Sequence, residues 1–137
     1  MLQERFVEAI SHYSRALEIQ PNYAEAHNNL GMALEKQGRV QEAIKHYSEA
    51  LRIEPNVAEA HFNLGNILLR QGKNEEAIKH YYEALRINPD YLKAHYNLGV
   101  ALAMKGDGKG GAYHFSQVLR IDPGNLSARR ALELLSR

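Results

Sequence analysis

The chain has no cysteine in 137 residues, so it can hold no disulfide framework and carry no thiol nucleophile. A cysteine-free protein suits the cytoplasm and the periplasm alike, so the compartment stays open. An excess of one charge is also missing. The formal net charge is +1, which gives no global field to draw nucleic acid or an anionic membrane surface. Long apolar runs are absent. The longest, Leu98 to Met104, is far too short to span a bilayer, so no direct membrane insertion is expected. The first ten residues, MLQERFVEAI, lack the basic-then-apolar layout of a signal peptide. Hydrophobic residues at 45% and charged residues at 24% are ordinary for a folded domain and exclude a disordered chain.

Proline is scarce, and its four copies are evenly placed. Pro21, Pro55, Pro89 and Pro123 fall 34 residues apart. Gly31, Gly65 and Gly99 keep the same step, as do Tyr13, Tyr47, Tyr81 and Phe115. AEAHNNLGMALEKQG (24–38) returns as AEAHFNLGNILLRQG (58–72) and more loosely as LKAHYNLGVALAMKG (92–106). A fixed period of this length marks a repeat array.

Within one period, Ala26, Leu30, Ala33 and Leu34 share one helical face. Gly38 suits the left-handed cap that ends a helix. Ala43, Ile44, Tyr47, Ala50 and Leu51 form a second helical stripe, which must stop before Pro55. Asn22, Asn56, Asp90 and Asn125 are expected as N-caps of the following helices. Each period therefore reads helix, tight turn, helix, turn, with no strand-like alternation. Gly31 and Ala43 are small residues on facing sides, which lets the helix axes approach to about the lower end of the usual ~8–10 Å. Tyr47 fills the space beside that contact, and Ala50 lets the next repeat nest. Each pair buries its stripe only by stacking on its neighbour.

The set Leu30–Gly31, Ala43, Tyr47, Ala50 and Pro55, on a 34-residue period, resembles the tetratricopeptide repeat (TPR). It recurs as Leu64–Gly65, Ala77, Tyr81, Ala84 and Pro89, and in softened form as Leu98–Gly99, Gly111, Phe115, Val118 and Pro123. The family's frequent tryptophan, four residues before the glycine, is histidine here: His27, His61 and His95. The resemblance implies an all-α, right-handed superhelical solenoid of eight helices. Residues 1–21 would be the second helix of a partial repeat. Residues 22–55, 56–89 and 90–123 would be full repeats, and 124–137 a C-terminal capping helix with Glu133 in the glycine's place. The half repeat at the start suggests a fragment of a longer array, with Met1 added to begin it. Such near-consensus repeats suit a bacterial or archaeal source.

Catalytic signals are weak. Gly106-Asp-Gly108-Lys-Gly-Gly111 fits G-x-G-x-x-G, but a helix precedes it where dinucleotide binding needs a strand, so it reads as a turn. The seven histidines form two columns: His12, His46, His80, His114 and His27, His61, His95. Neighbours within a column stand a repeat apart, roughly 10 Å, which is too far for a shared metal. Packed or half-exposed helix positions are expected, with some sensitivity to pH. Glu8, Glu42 and Glu76 suit the start of each second helix. Lys45, Lys79, Arg52, Arg86 and Arg120 read as a solvated face. No nucleophile stands beside a base, so no enzyme activity, cofactor or metal is expected.

What remains is shape. In proteins resembling this one, the first helix of each pair lines a concave side. The candidate groove residues are Asn28, Asn29, Met32 and Lys36, then Phe62, Asn63, Asn66 and Arg70, then Lys93, Tyr96, Asn97 and Met104. Asn29, Asn63 and Asn97 form a column, similar to that in the TPR arrays of O-linked N-acetylglucosamine transferases. An asparagine offers both acceptor and donors, so a ladder of them suits holding a peptide backbone without reading its side chains. The same asparagines could instead tie helices together. The clamp by which chaperone-binding TPR domains grip a peptide carboxylate would fall on Asn28, Met32, Asn63, Lys93 and Asn97. Only Asn63 and Lys93 suit it, so chaperone-tail recognition is not expected.

The reading is a non-catalytic module that binds an extended peptide or partner protein. The alternatives are a self-associating structural array, or an accessory arm of a larger enzyme or membrane protein. Self-association would use Phe6, Ile10, Tyr13 and Leu17, one face of the first helix, as a weak homodimer contact.

Overall fold

The structure is a computed structural model, and it describes residues 2–137. Eight α-helices and no strands occur among the described residues. They are α1 (Leu2–Ile19), α2 (Ala24–Lys36), α3 (Val40–Ile53), α4 (Ala58–Arg70), α5 (Asn74–Ile87), α6 (Leu92–Lys105), α7 (Gly108–Ile121) and α8 (Leu126–Leu135). Each helix packs on the next in the chain, most extensively within α2–α3, α4–α5 and α6–α7. This is the all-α solenoid that the period implied.

Glycines end the first helix of each pair. Gly38, Gly72 and Gly106 take φ of 79°, 79° and 98°, the left-handed region in which a side chain is strained. The Arg39 amide then donates to the Leu34 carbonyl at 2.9 Å and the Gly38 amide to Glu35 at 2.9 Å. Together these close the helix end as a Schellman motif. Gly106-Asp-Gly108 is a turn of this kind, with Asp107 accepting from the Gly110 amide at 2.8 Å as the N-cap of α7.

The N-cap expectation needs correction. Tyr23, Val57 and Tyr91 occupy the N-cap positions of α2, α4 and α6, without a side-chain cap bond. Only Asn125 caps as expected, accepting from the Ala128 amide at 2.9 Å. The reason is register: Asn22, Asn56 and Asp90 lie one residue earlier in the turn than Asn125 does. Asn56 and Asp90 accept instead from Arg86 and Arg120, at 3.0 and 2.6 Å. Those two arginines are thus ties between a repeat's second helix and its own leading turn, rather than a merely solvated face.

The core is a row of clusters, one at each stack. Ala43, Tyr47, Ala50, Ala77, Tyr81 and Ala84 are wholly buried. The conserved step places an aromatic ring over each first-helix glycine. A Cβ on Gly31 would lie 2.7 Å from the Tyr47 ring, one on Gly65 2.8 Å from Tyr81, and one on Gly99 2.9 Å from Phe115. Tyr47 and its equivalents therefore seat directly on the glycine, not merely beside it.

Candidate functional site

The first helices touch one another: α2 meets α4, and α4 meets α6. No contact of that extent joins α3 to α5 or α5 to α7 among the described residues. Helices that draw together mark the inner side of a curved stack, so α2, α4 and α6 line the concave face.

Along that face the asparagines are linked from helix to helix. Asn63 donates through Nδ2 to Asn28 Oδ1 at 3.3 Å, and Asn97 donates to Asn66 Oδ1 at 2.7 Å. Tyr81 also donates its hydroxyl to Asn66 Oδ1, at 2.7 Å. In the preceding repeat, Glu35 takes the place of that acceptor, receiving the Tyr47 hydroxyl at 2.8 Å and Arg70 at 2.6 Å. Burial, and next the Glu35 carboxylate, push the Tyr47 hydroxyl well above the usual tyrosine range, so it stays a donor.

These contacts divide the expected groove residues. Asn28 is buried, accepts from Asn63 and points Nδ2 at Met32 Sδ, so it supports the floor rather than facing a ligand. Asn66 is fully engaged as an acceptor. Arg70 is already paired with Glu35. Phe62 is largely core, packed on Tyr81 and Tyr91 with ring centroids 6.1 and 4.9 Å away. Burial in that cluster pushes the Tyr91 hydroxyl up to about 12. Asn29, Asn63, Tyr96 and Asn97 are half-buried, and Met32, Lys36, Lys93 and Met104 are exposed. Asn63 keeps a carbonyl oxygen and one amide hydrogen free of these ties, and Asn97 keeps its carbonyl oxygen, its amide also facing the Tyr81 hydroxyl.

Two clefts lie on this face. One, of ≈ 260 Å³, is bounded by Phe62, Leu92, Lys93, Tyr96, Asn97, Asn125 and Ser127. Its last two residues come from the end of the chain and are absent from the expected set. Carrying the 34-residue step one turn further would have found Ser127, which stands one repeat after Lys93. The other, of ≈ 230 Å³, lies between α1 and α2 and is lined by Phe6, Ala9, Tyr13, Asn29, Met32, Ala33 and Lys36. Tyr13, Ile10 and Leu17 pack against the first core cluster beside α2, and Phe6 is half-buried. The α1 face expected to be free is thus turned partly inward.

The histidine columns meet each other, which the spacing within each column hid. His27 Nδ1 lies 3.1 Å from His46 Nδ1, and His61–His80 and His95–His114 make the same contact at 3.0 Å. Ring centroids are 5.3 Å apart in all three pairs, so the two nitrogens stand on the line between the rings. That leaves no room for an ion between them. No group of three or more potential metal-ligating side chains converges among the described residues.

The tetratricopeptide repeat model matches residues 22–90 and 56–124, and a second TPR repeat model matches 1–38. The chain belongs to the tetratricopeptide repeat family. The family is generally a non-catalytic protein-interaction module. No curated protein sequence matches it significantly. Among solved structures it is similar to a crystal structure of MamA, with TM-score 0.86 and 25% identity over 95% of this chain and 76% of that one. It is also similar to the first TPR of Spaghetti (RPAP3) bound to the HSP90 peptide SRMEEVD, with TM-score 0.78 and 25% identity over 82% and 90%. A tetratricopeptide repeat protein from Parabacteroides merdae shares the fold, with TM-score 0.84 and 23% identity over 96% and 52%. No described helix of this TPR chain is long and apolar enough to cross a membrane.

Proposed function

We propose that this chain is a non-catalytic interaction module whose concave side holds an extended peptide, or an extended segment of a partner protein. The observation that carries the reading is the run of asparagines on α2, α4 and α6. Asn63 and Asn97 are each held by one Nδ2 bond to a neighbouring helix. Held so, their remaining carbonyl and amide groups stand preset along the groove. Preset polar groups lower the ordering cost of binding a backbone.

The ends of the groove differ. Toward α2, Glu35 is neutralised by Arg70, and Lys36 edges the second cleft. Toward α6, aromatic and aliphatic walls from Phe62, Leu92 and Tyr96 meet the Lys93 ammonium, which is exposed and makes no ion pair among the described residues. That end suits a large apolar side chain with a carboxylate beside it. The likeness to a TPR that holds a peptide supports peptide binding in general. The HSP90 tail itself is not carried over, since the two missing cationic clamp positions are Asn28 and Asn97, and Asn28 is buried.

Replacing Asn29, Asn63 and Asn97 together with alanine tests the reading. Capture of peptides from an array should be lost while helicity largely remains. Melting, measured alongside, reports the loss of the two helix ties. A variant that keeps every peptide hit would show the asparagines to be ties alone.

A further inference from the structure

Each histidine pair joins three parts of a repeat. The first-helix histidine reaches back to the turn before it: His27 Nε2 to the Pro21 carbonyl at 2.9 Å, His61 to Pro55 at 3.1 Å, and His95 to Pro89 at 2.7 Å. Its other nitrogen meets the second helix. A carbonyl can only accept, so Nε2 of His27, His61 and His95 carries the proton. A neutral ring then has a bare Nδ1. The facing Nδ1 of His46, His80 or His114 must therefore be the donor, which leaves that residue's Nε2 bare. Each pair thus has one assigned set of tautomers.

From this geometry we propose that the three histidine pairs form an acid-opened latch, in which each N–H···N bond holds first helix to second helix and fails once both rings of a pair are protonated.

A first added proton can go to the bare Nε2 of the second-helix ring without breaking either bond. A second must go to the Nδ1 of the first-helix ring. That sets two N–H donors face to face at about the 3 Å they now share, on two cationic rings. The bond turns repulsive, and the first helix loses its tie while still hydrogen-bonded to the turn. The arrangement occurs three times, once per full repeat, so the solenoid opens along its length rather than at one end.

The surroundings grade the three pairs. His27–His46 faces Glu42, Lys45 and Glu49 on α3, besides the Pro21 carbonyl. His61–His80 faces Glu76 and Glu83 on α5. His95–His114 faces Asp107 from the turn, and the uncharged Tyr82 and Tyr113 rings from α5 and α7. Burial first, then the facing imidazole, lowers His46 and His80 below the usual histidine range. The same causes lower His114 to about 4. Two carboxylates oppose this for His46 and two for His80, against Asp107 alone for His114, so the third pair is the last to take up protons. Groups held below their ordinary value bind fewer protons folded than unfolded. The stability they contribute is whole above about pH 6.5 and is lost as pH falls toward the folded values.

The test is independent of any ligand. The full chain, labelled with 15N at histidine, is followed by long-range 1H–15N correlation from pH 7.5 to 4.5, with circular dichroism melts alongside. At pH 7.5, His27, His61 and His95 should be Nε2–H tautomers and His46, His80 and His114 Nδ1–H tautomers. His12, which faces no other histidine among the described residues, serves as the unpaired-ring reference for the tautomers. The melting temperature should fall between pH 7 and 5, where ordinary carboxylates are still ionised. In His46→Gln, an amide can still donate to His27 but takes up no proton, so about a third of that fall should vanish. Should that variant not fold, the wild-type tautomers and melts decide alone. Mixed tautomers in the six paired residues, or equal melting temperatures at pH 7 and 5, would overturn the latch.

Discussion

Gly65→Ala adds one methyl group where a buried ring seats on the first helix. The new Cβ would stand 2.8 Å from Tyr81 Cε1 and 3.0 Å from Cδ1. The ring cannot retreat easily. Tyr81 is wholly buried, and its hydroxyl is bonded to Asn66 Oδ1 at 2.7 Å. Overpacking of this sort costs about 1–3 kcal/mol. Against it stands the helix propensity gained when alanine replaces a mid-helix glycine, about 1 kcal/mol. The overpacking should match or exceed that gain, for a net loss of up to ~2 kcal/mol and a fall in melting temperature of up to roughly 8 °C in a chain of this size. Thermal melting by circular dichroism measures it. A double-mutant cycle with Tyr81→Leu should show coupling between the two sites, because the leucine removes the ring that the methyl strikes. A Gly65→Ala protein that melts higher than wild type would mean that propensity alone acts, and that no ring sits on the glycine.

Ala77→Leu tests the other half of the same contact. Ala77 is wholly buried, and at the equivalent Gly111 a Cβ would stand 3.0 Å from the Gly99 carbonyl. A loss of about 1–3 kcal/mol is expected in the same melt. Arg120→Ala should change stability by no more than about 0.5 kcal/mol, because its pair with Asp90 is exposed on both sides. A large loss in a urea titration would mean that the tie from helix to turn governs the repeat.

The fold was legible because its grammar is local and repeated. Gly38, Gly72 and Gly106 mark helix ends, and Gly31, Gly65 and Gly99 mark ring seats; the 34-residue step makes each reading confirm the others. The site was less legible, because its chemistry lies in pairs across the repeat. His27 and His46 are 19 residues apart, as are His61–His80 and His95–His114. Compared only within columns, they looked isolated. The asparagine column was visible, but not its ties, since Asn63 bonds a residue 35 positions away and Asn97 one 31 away. Those offsets depend on how the first helices cross, which hydrophobic period does not encode. Asn22, Asn56 and Asp90 were misread as caps because residue type was weighed above register.

The inner side of the stack is the proposed peptide groove. It is tested most directly by mapping amide shifts of the 15N-labelled chain during titration with a peptide selected from a displayed random library. Shifts should gather on α2, α4 and α6, strongest near Asn63, Tyr96 and Asn97, and be largely lost in the triple asparagine variant. Shifts gathered on α3, α5 and α7, or confined to α1, would contradict it.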